Sequence, residues 1–422
     1  MTLNDVTDDD SSSLSNDECS QNICFDDEEV NSDNQEDEPA PIFDESKEVC
    51  YDTKYTLLLE EAVNLSNIYI LHLDAYKQGQ SLKVASALSD FSCKIYNFES
   101  NNKCTQVLND HENKIVDIKF GKNRNEFSGI VYTGSEDGTI KLWDLRTKEK
   151  CISCYKDDTD SKLKPLSCFD VSCDGRFLVA GTEVITDDSF LLFWDVRTTK
   201  LLGGYWDTHQ GDITQVKFHP NEEKTVISGS TDGIINLFDV TQTSEKDALQ
   251  LTFNTNSSVS ILNWLKDKCE DWIFSCITHT EDLQLWHTTD SKPCISILRN
   301  AISKSMNIEP DVYCQVINCH QLDNDGNILL LVGNNHRKGE HLQSFNISID
   351  SSISPRTLFK NNKQIVRCSW YDSNDGTLIT GGEAGIISVW SLNEIHDVGN
   401  NDKCSLKDVS RKSLKNISHK PY

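Results

Sequence analysis

The chain has 422 residues, 37% hydrophobic and 25% charged, with a formal net charge of −27, which is enough apolar sequence for one large globular domain or two ordinary ones. The charge is unevenly spread: residues 1–50 hold seventeen acidic side chains against Lys47 alone, residues 401–422 hold six Lys/Arg against two Asp, and the body between them is moderately acidic. An acidic body repels phosphate, which argues against direct nucleic-acid binding, and no run of about 18 apolar residues is present to span a membrane as a helix.

Residues 1–50 are rich in Asp, Glu, Ser and Asn. Such a segment buries too little apolar surface to offset its ordering entropy and is expected to be a disordered acidic tail. It could attract basic proteins or simply solvate the molecule. Thr7 and Ser15 each precede an acidic residue by three positions, a spacing that suits an acid-directed kinase. No apolar N-terminal run suggests a secretory leader, so a reducing compartment, cytoplasmic or nuclear, is expected for the sixteen cysteines. Those in strand-like runs, such as Cys168, Cys276 and Cys368, read as small buried hydrophobes. Cys151 and Cys154 form a lone C-x-x-C, two ligands where a structural zinc needs four. No metal or other cofactor is expected.

From residue 52 to 396 the chain repeats. The clearest unit, Thr133 to Arg146, reads T-G-S-E-D-G-T-I-K-L-W-D-L-R, in which Asp137-Gly138 joins two short alternating apolar runs as a hairpin. The pattern returns as S-G-S-T-D-G-I-I-N-L-F-D from Ser228 and, worn, as T-G-G-E-A-G-I-I-S-V-W from Thr380. A copy with an insertion runs from Ala180 to Arg197 and ends F-W-D-V-R. Trp143, Trp194, Phe238 and Trp286 close successive units at spacings of 51, 44 and 48 residues. Tyr96, before them, and Phe345 and Trp390, after them, bring the number of units to seven. Little apolar sequence follows Trp390, so the last sheet lacks its outermost strand. The run Tyr55 to Leu59 is expected to supply it and close the ring. Residues 397–422 form a second tail, basic and expected to be disordered.

These stretches resemble the WD-repeat family, which implies an all-β, seven-bladed propeller closed by an N-terminal strand. The segment with the insertion, D-I-T-Q-V-K-F-H-P from Asp212, V-I-S-G-S-T-D-G from Val226 and L-I-T-G-G-E from Leu378 narrow the resemblance to one branch of that family. By the same resemblance His111, Thr133, Asp137 and Trp143 are assigned as a hydrogen-bonded tetrad that locks a turn. A buried His–Asp–hydroxyl set also looks like a hydrolase triad, but a hydroxyl pinned behind a Trp, with no oxyanion hole suggested, favours architecture. A partial tetrad is expected at His209, Ser228 and Asp232, where Phe238 lacks the indole donor. The fifth blade, without an Asp-Gly turn, and the sixth, with Gly333-Asn334-Asn335, are expected to be held by packing alone.

Asp144 with Arg146, and Asp195 with Arg197, repeat W-D-x-R in consecutive blades. In the family this doubled box marks receptors of cullin-RING ubiquitin ligases, where an exposed guanidinium would grip a carboxylate of the ligase adaptor. The plainer reading is that Asp caps the turn and Arg solvates it. His336, Arg337 and Lys338 form a basic cluster expected to be a solvated loop. The leading functional expectation is a non-catalytic scaffold that binds partner proteins or peptides on its faces. A ligase receptor comes second. A propeller enzyme comes last, since no convergent set of titratable side chains is expected around the funnel.

Overall fold

A computed structural model describes residues 51–393 apart from 65–66, 99–102, 124–125, 148–150, 160–161, 308–312, 324, 336–338 and 349–351. Both tails, the sites at Thr7 and Ser15 and the cluster at His336–Lys338 lie outside the described residues.

After an opening strand β1 (Lys54–Ala62), the chain builds four-stranded antiparallel sheets one after another. The first holds β2 (Ile70–Gln78), β3 (Ser81–Leu88), β4 (Cys93–Asn97) and β5 (Lys103–Leu108). The second holds β6 (Ile115–Asn123), β7 (Glu126–Ser135), β8 (Thr139–Asp144) and β9 (Ser153–Lys156). The third holds β10 (Leu166–Val171), β11 (Phe177–Thr182), β12 (Leu191–Asp195) and β13 (Lys200–Tyr205), and the fourth β14 (Ile213–Phe218), β15 (Thr225–Ser230), β16 (Ile234–Asp239) and β17 (Leu249–Asn254), with α1 (Glu245–Ala248) between its last two strands. The fifth holds β18 (Val259–Lys266), β19 (Trp272–Thr278), β20 (Leu283–His287) and β21 (Ile295–Ile297); α2 (Arg299–Ser305) leads to the sixth, β22 (Cys314–Gln321), β23 (Ile328–Asn334), β24 (Leu342–Ile347) and β25 (Ile353–Leu358). The seventh has β26 (Val366–Asp372), β27 (Thr377–Gly382) and β28 (Ile386–Asn393), completed by β1, which pairs with β28 from Lys54↔Asn393 to Ala62↔Ile386. The N-terminal strand therefore closes the ring, as the sequence led us to expect.

Alternation explains each sheet, and the wedge between sheets explains the core. The seven aromatics Tyr96, Trp143, Trp194, Phe238, Trp286, Phe345 and Trp390 all sit on the third strand of a blade and are all buried. The apolar side chains form seven clusters, each built from two neighbouring blades. Burying one such large side chain contributes about 1.5–3 kcal/mol. The inner strands pack next to one another all the way round, with β2 against both β6 and β26.

The glycine of the repeat has a packing reason. A Cβ at Gly181 would lie 2.5 Å from Ile213 Cγ2 of the next blade, and one at Gly381 would lie 2.8 Å from Ile70 Cγ2 across the closure. The second strand of one blade touches the inner strand of the next so closely that a side chain has no room. Tyr55 of β1 packs 5.1 Å from the Phe359 ring, which in turn meets Trp390 edge-on at 5.2 Å.

Two outcomes follow for folding. Gly381→Val overpacks the closure and should lower stability by about 1–3 kcal/mol in denaturant melts. Deleting residues 1–62 should leave β28 as an open edge and yield aggregated protein; a monomeric truncation with the full-length melting temperature would refute the closure.

Candidate functional site

The structure brings His111, Thr133, Asp137 and Trp143 into one chain of hydrogen bonds. Trp143 Nε1 donates to Thr133 Oγ1 at 2.9 Å, His111 Nε2 lies 2.7 Å from the same hydroxyl, and His111 Nδ1 lies 2.8 Å from Asp137 Oδ2. A carboxylate can only accept, so Nδ1 carries the imidazole proton. Asp137 also receives the backbone N–H groups of Glu112 and Thr139 at 3.2 and 2.9 Å, and the Thr139 hydroxyl at 2.5 Å. Burial alone would raise this carboxyl, but the bonds from His111 and Thr139 outweigh it and hold it at about 2. The result ties the β5–β6 loop to the β7–β8 turn. That turn needs Gly138, at φ +83°, where a Cβ would meet Leu163 Cβ at 2.7 Å.

The fourth blade repeats the arrangement with one substitution. His209 Nε2 lies 2.7 Å from Ser228 Oγ, and Nδ1 lies 3.3 Å from Asp232 Oδ2. Phe238 offers no donor. Asn236 instead brings its Nδ2 to 3.4 Å from His209 Nε2 and donates to Thr208 O at 3.1 Å. Asn236 escaped the sequence reading because the repeat pattern assigns nothing to that position.

The expectation that the fifth and sixth blades are held by packing alone is overturned. In the fifth, Trp286 Nε1 donates to Gln284 Oε1 at 3.2 Å, and Gln284 Nε2 donates to Thr255 O of the preceding blade's exit loop at 3.0 Å. In the sixth, Gln343 Nε2 donates to Tyr51 Oη at 2.9 Å. A buried donor left without a partner costs about 1–3 kcal/mol, so these blades satisfy their polar groups with other side chains.

The W-D-x-R arginines are exposed, Arg146 at 72% and Arg197 at 64% of the side chain. Neither guanidinium is wholly free. Arg146 Nε donates to Asp144 Oδ1 at 2.9 Å and Nη2 to Oδ2 at 2.6 Å. Arg197 Nη2 reaches Asp195 Oδ2 at 3.0 Å. Each Asp also caps the backbone N–H of its own Arg at 2.9 Å. The carboxyl of Asp144 is held at about 2 by these bonds from Arg146. One edge of each fork is thus taken within the turn, and a partner carboxylate would meet the other edge. Because strands alternate in direction, these turns lie at the opposite end of their blades from Asp137 and Asp232.

The insertion between β11 and β12 lies at the Asp137 end of its blade. Ile185 and Asp188 exchange both backbone bonds, N to O at 2.7 and 3.2 Å, around Thr186 at φ +54° and Asp187 at φ +77°. Two consecutive residues with positive φ make a hairpin turn that normally selects Asn-Gly. A β-branched Thr there stores about 1–3 kcal/mol of strain. The loop is braced on the next blade: Val184 N donates to Asp212 Oδ1 at 2.8 Å, and Ser189 Oγ to His209 O at 3.3 Å. Glu183, Val184, Asp187 and Asp188 are exposed.

The funnel departs most from expectation. Every inner strand carries a bulge at the same place, after Ile70, Ile115, Leu166, Ile213, Val259, Val316 and Val366, and β6 has a second after Phe120. This common register puts Asp74, Lys119, Asp170, Lys217, Asn263, His320 and Trp370 on one level, one per blade, and all line a cavity of about 620 Å³. His72 and Asp117 line it too. A convergent titratable set therefore exists where none was expected.

Along blades one to four the charges alternate in sign. Asp74 Oδ2 accepts from Phe120 N of the next strand at 2.8 Å. Lys119 Nζ lies 3.1 Å from Asp170 Oδ1 and 3.5 Å from Asp117 Oδ2. Asp170 Oδ2 accepts from Phe218 N at 2.7 Å. On the neutral side Asn263 Nδ2 donates to Asn318 Oδ1 at 2.9 Å, and His320 Nε2 lies 2.8 Å from Ser369 Oγ. Burial would lower the Lys119 ammonium, but Asp170, Asp117 and Asp74 together raise it. Burial without a charged partner pushes His320 down to about 4. Among the described residues no group of three or more His, Cys, Asp or Glu is arranged to hold a metal ion. Cys151 is half-buried, Cys154 is exposed, and burial raises both thiols.

The tetrad has a pH signature. A carboxyl lowered in the folded state stabilises above its unfolded value, near 3.9, and that contribution is lost as pH falls towards about 2. Asp137→Asn should therefore cost about 1–3 kcal/mol at pH 7. The deficit should hold constant down to about pH 4 and narrow below it. Chemical denaturation across pH 2–7 measures it; a deficit independent of pH would refute the assignment.

Comparison with known proteins accords with this geometry. A family model described as WD domain, G-beta repeat, matches residues 102–144 and 201–239, the stretches leading into and through the two blades with His–Asp pairs. The chain is 27% identical over 79% of its length to the WD repeat-containing protein 89 homolog of Dictyostelium discoideum, 88% of which is covered. It is 26% identical over 50% of its length to WD repeat-containing protein GTS1 of Arabidopsis thaliana, covering 51% of that protein. It is 27% identical over 31% of its length to guanine nucleotide-binding protein subunit beta-1 of Nicotiana tabacum, covering 33%. Seven such sheets closed into a ring, with the repeat's His, hydroxyl and Asp side chains in contact in both matched blades, make the chain a seven-bladed β-propeller that carries WD repeats.

Proposed function

We infer that this protein is a non-catalytic interaction scaffold, and that the face bearing the insertion between β11 and β12 captures basic segments of partner proteins. The observation that carries the reading is the strained turn at Thr186 and Asp187. Strain of this kind persists only where the surroundings over-determine it, and it clusters at ligand contacts. Here the brace on Asp212 and His209 holds an acidic, exposed loop in one shape, so little ordering entropy remains to be lost on binding. Asp187 and Asp188 supply charge, and Val184 supplies an apolar contact between them and Glu183. No turnover chemistry is invoked for the tetrads, since the Thr133 hydroxyl is bonded on both sides, to Trp143 and His111.

Docking on a cullin-RING adaptor is the second reading. It is favoured by the matching exposure and turn geometry of Arg146 and Arg197, and weakened by the edge of each guanidinium already given to its own Asp.

Asp187→Gly fits the positive φ but adds entropy to the unfolded chain, so the two effects oppose and stability should change by less than about 1 kcal/mol in denaturant melts. Glu183→Lys with Asp188→Lys should leave melting unchanged while removing neighbours found by proximity labelling in cells. An unchanged neighbour set would overturn the proposed face. Arg146→Ala with Arg197→Ala tests the adaptor: equal recovery of it from wild type and variant removes that reading.

A further inference from the structure

The alternating row in the funnel ends without a partner. Reading round the ring, Asp74, Lys119, Asp170 and Lys217 alternate in sign, and the next position is the neutral Asn263. Lys119 takes both nearby carboxylates, those of Asp170 and Asp117. Asp170 is also occupied by the Phe218 amide. Among the described residues no carboxylate lies within 4 Å of Lys217, whereas Lys119 has two. The Lys119 ammonium, two blades back, acts on Lys217 at close range. Two ammonium groups can only donate, so they cannot satisfy one another. A half-buried lysine that lacks a counter-ion and has a second cation beside it is in the setting that turns an amine into a nucleophile.

We propose that the funnel is a carbonyl-binding site in which the Lys217 amine condenses reversibly with aldehydes or ketones of a size the cavity admits. This goes beyond the scaffold reading and does not depend on it. The neutral Nζ attacks the carbonyl carbon, forming the C–N bond, and the oxygen gains the proton that nitrogen loses. The carbinolamine then expels its hydroxyl as water, leaving an imine; one amine and one carbonyl give one imine and one water, with no change of oxidation state. Solvent admitted by the open funnel accepts and returns the proton. Burial and then the Lys119 charge lower Lys217, while Asp117 and Asp170 oppose them. His72 completes the titratable groups around it, itself lowered by burial. Lys119, paired with two carboxylates, stays protonated.

The test uses the full chain, acetaldehyde as probe and cyanoborohydride to trap the imine, with ethylated lysines quantified by peptide mass spectrometry. At pH 6.5 Lys217 should be modified at least tenfold faster than the exposed Lys200 and Lys224, with a rate midpoint well below the ordinary lysine value. Lys119→Gln removes the neighbouring cation and should slow Lys217 labelling several-fold at that pH while moving the midpoint upward. Lys217 reacting no faster than Lys200 and Lys224 overturns the proposal, as does a midpoint at the ordinary lysine value. If Lys119→Gln does not fold, the wild-type pH profile alone decides. Loss of the partner set in the loop variants, with Lys217 labelling intact, would separate this site from the scaffold reading.

Discussion

A blade of this propeller cannot stand alone. Each four-stranded sheet has two apolar faces, and each of the seven core clusters is shared between neighbours. A row of such sheets would always leave two faces in water. Closing the row is the only arrangement in which every face finds a partner, and the β1–β28 pairing closes it across a bridge of backbone hydrogen bonds. The packing of Ile70 on Gly381 shows how tight that last seam is. The burial of seven aromatics, the common bulge register and the positions of all loops are consequences of a ring with no free end.

Polar contacts then set the ring's fine structure. At the periphery, side chains such as His111, Asp137 and Gln284 join the entrance loop or exit loop of one blade to a turn or strand. At the centre, Asp74 and Asp170 reach to amides of the following blade. These contacts are local in space and distant in sequence. They hold neighbouring blades at a fixed distance, which a non-directional apolar wedge does not do by itself.

Much of this was legible in the residues. The Asp-Gly turns, the spacing of closing aromatics and the missing last strand pointed to seven blades and to β1, because hairpin chemistry and strand alternation are local signals. The tetrad residues were legible only through the family's pattern, and their contacts follow it closely in the second blade. The satisfied indole of Trp286 was missed because its partner, Gln284, stands two positions away on the same strand and belongs to no motif. The funnel was missed for a different reason. Asp74, Lys119, Asp170 and Lys217 look like ordinary polar residues on half-exposed strands. Only the shared bulge, one residue after a buried aliphatic in each inner strand, shows that they meet on one level. Aligning the seven inner strands on that aliphatic would have revealed the alternation of charge.

The seam between β1 and β28 also imposes an order on events at the ribosome. β1 is among the first strands to emerge and its partner is the last, with more than three hundred residues between them. Until Trp390 and its neighbours leave the exit tunnel, the nascent chain carries β1 with no strand to pair and Tyr55 with only part of its pocket. Six blades can be made and stacked in that interval, but the apolar face of the first stays uncovered. Such a protein completes its fold only once its last blade has been made, and its most vulnerable species is a nearly finished ring awaiting its final sheet.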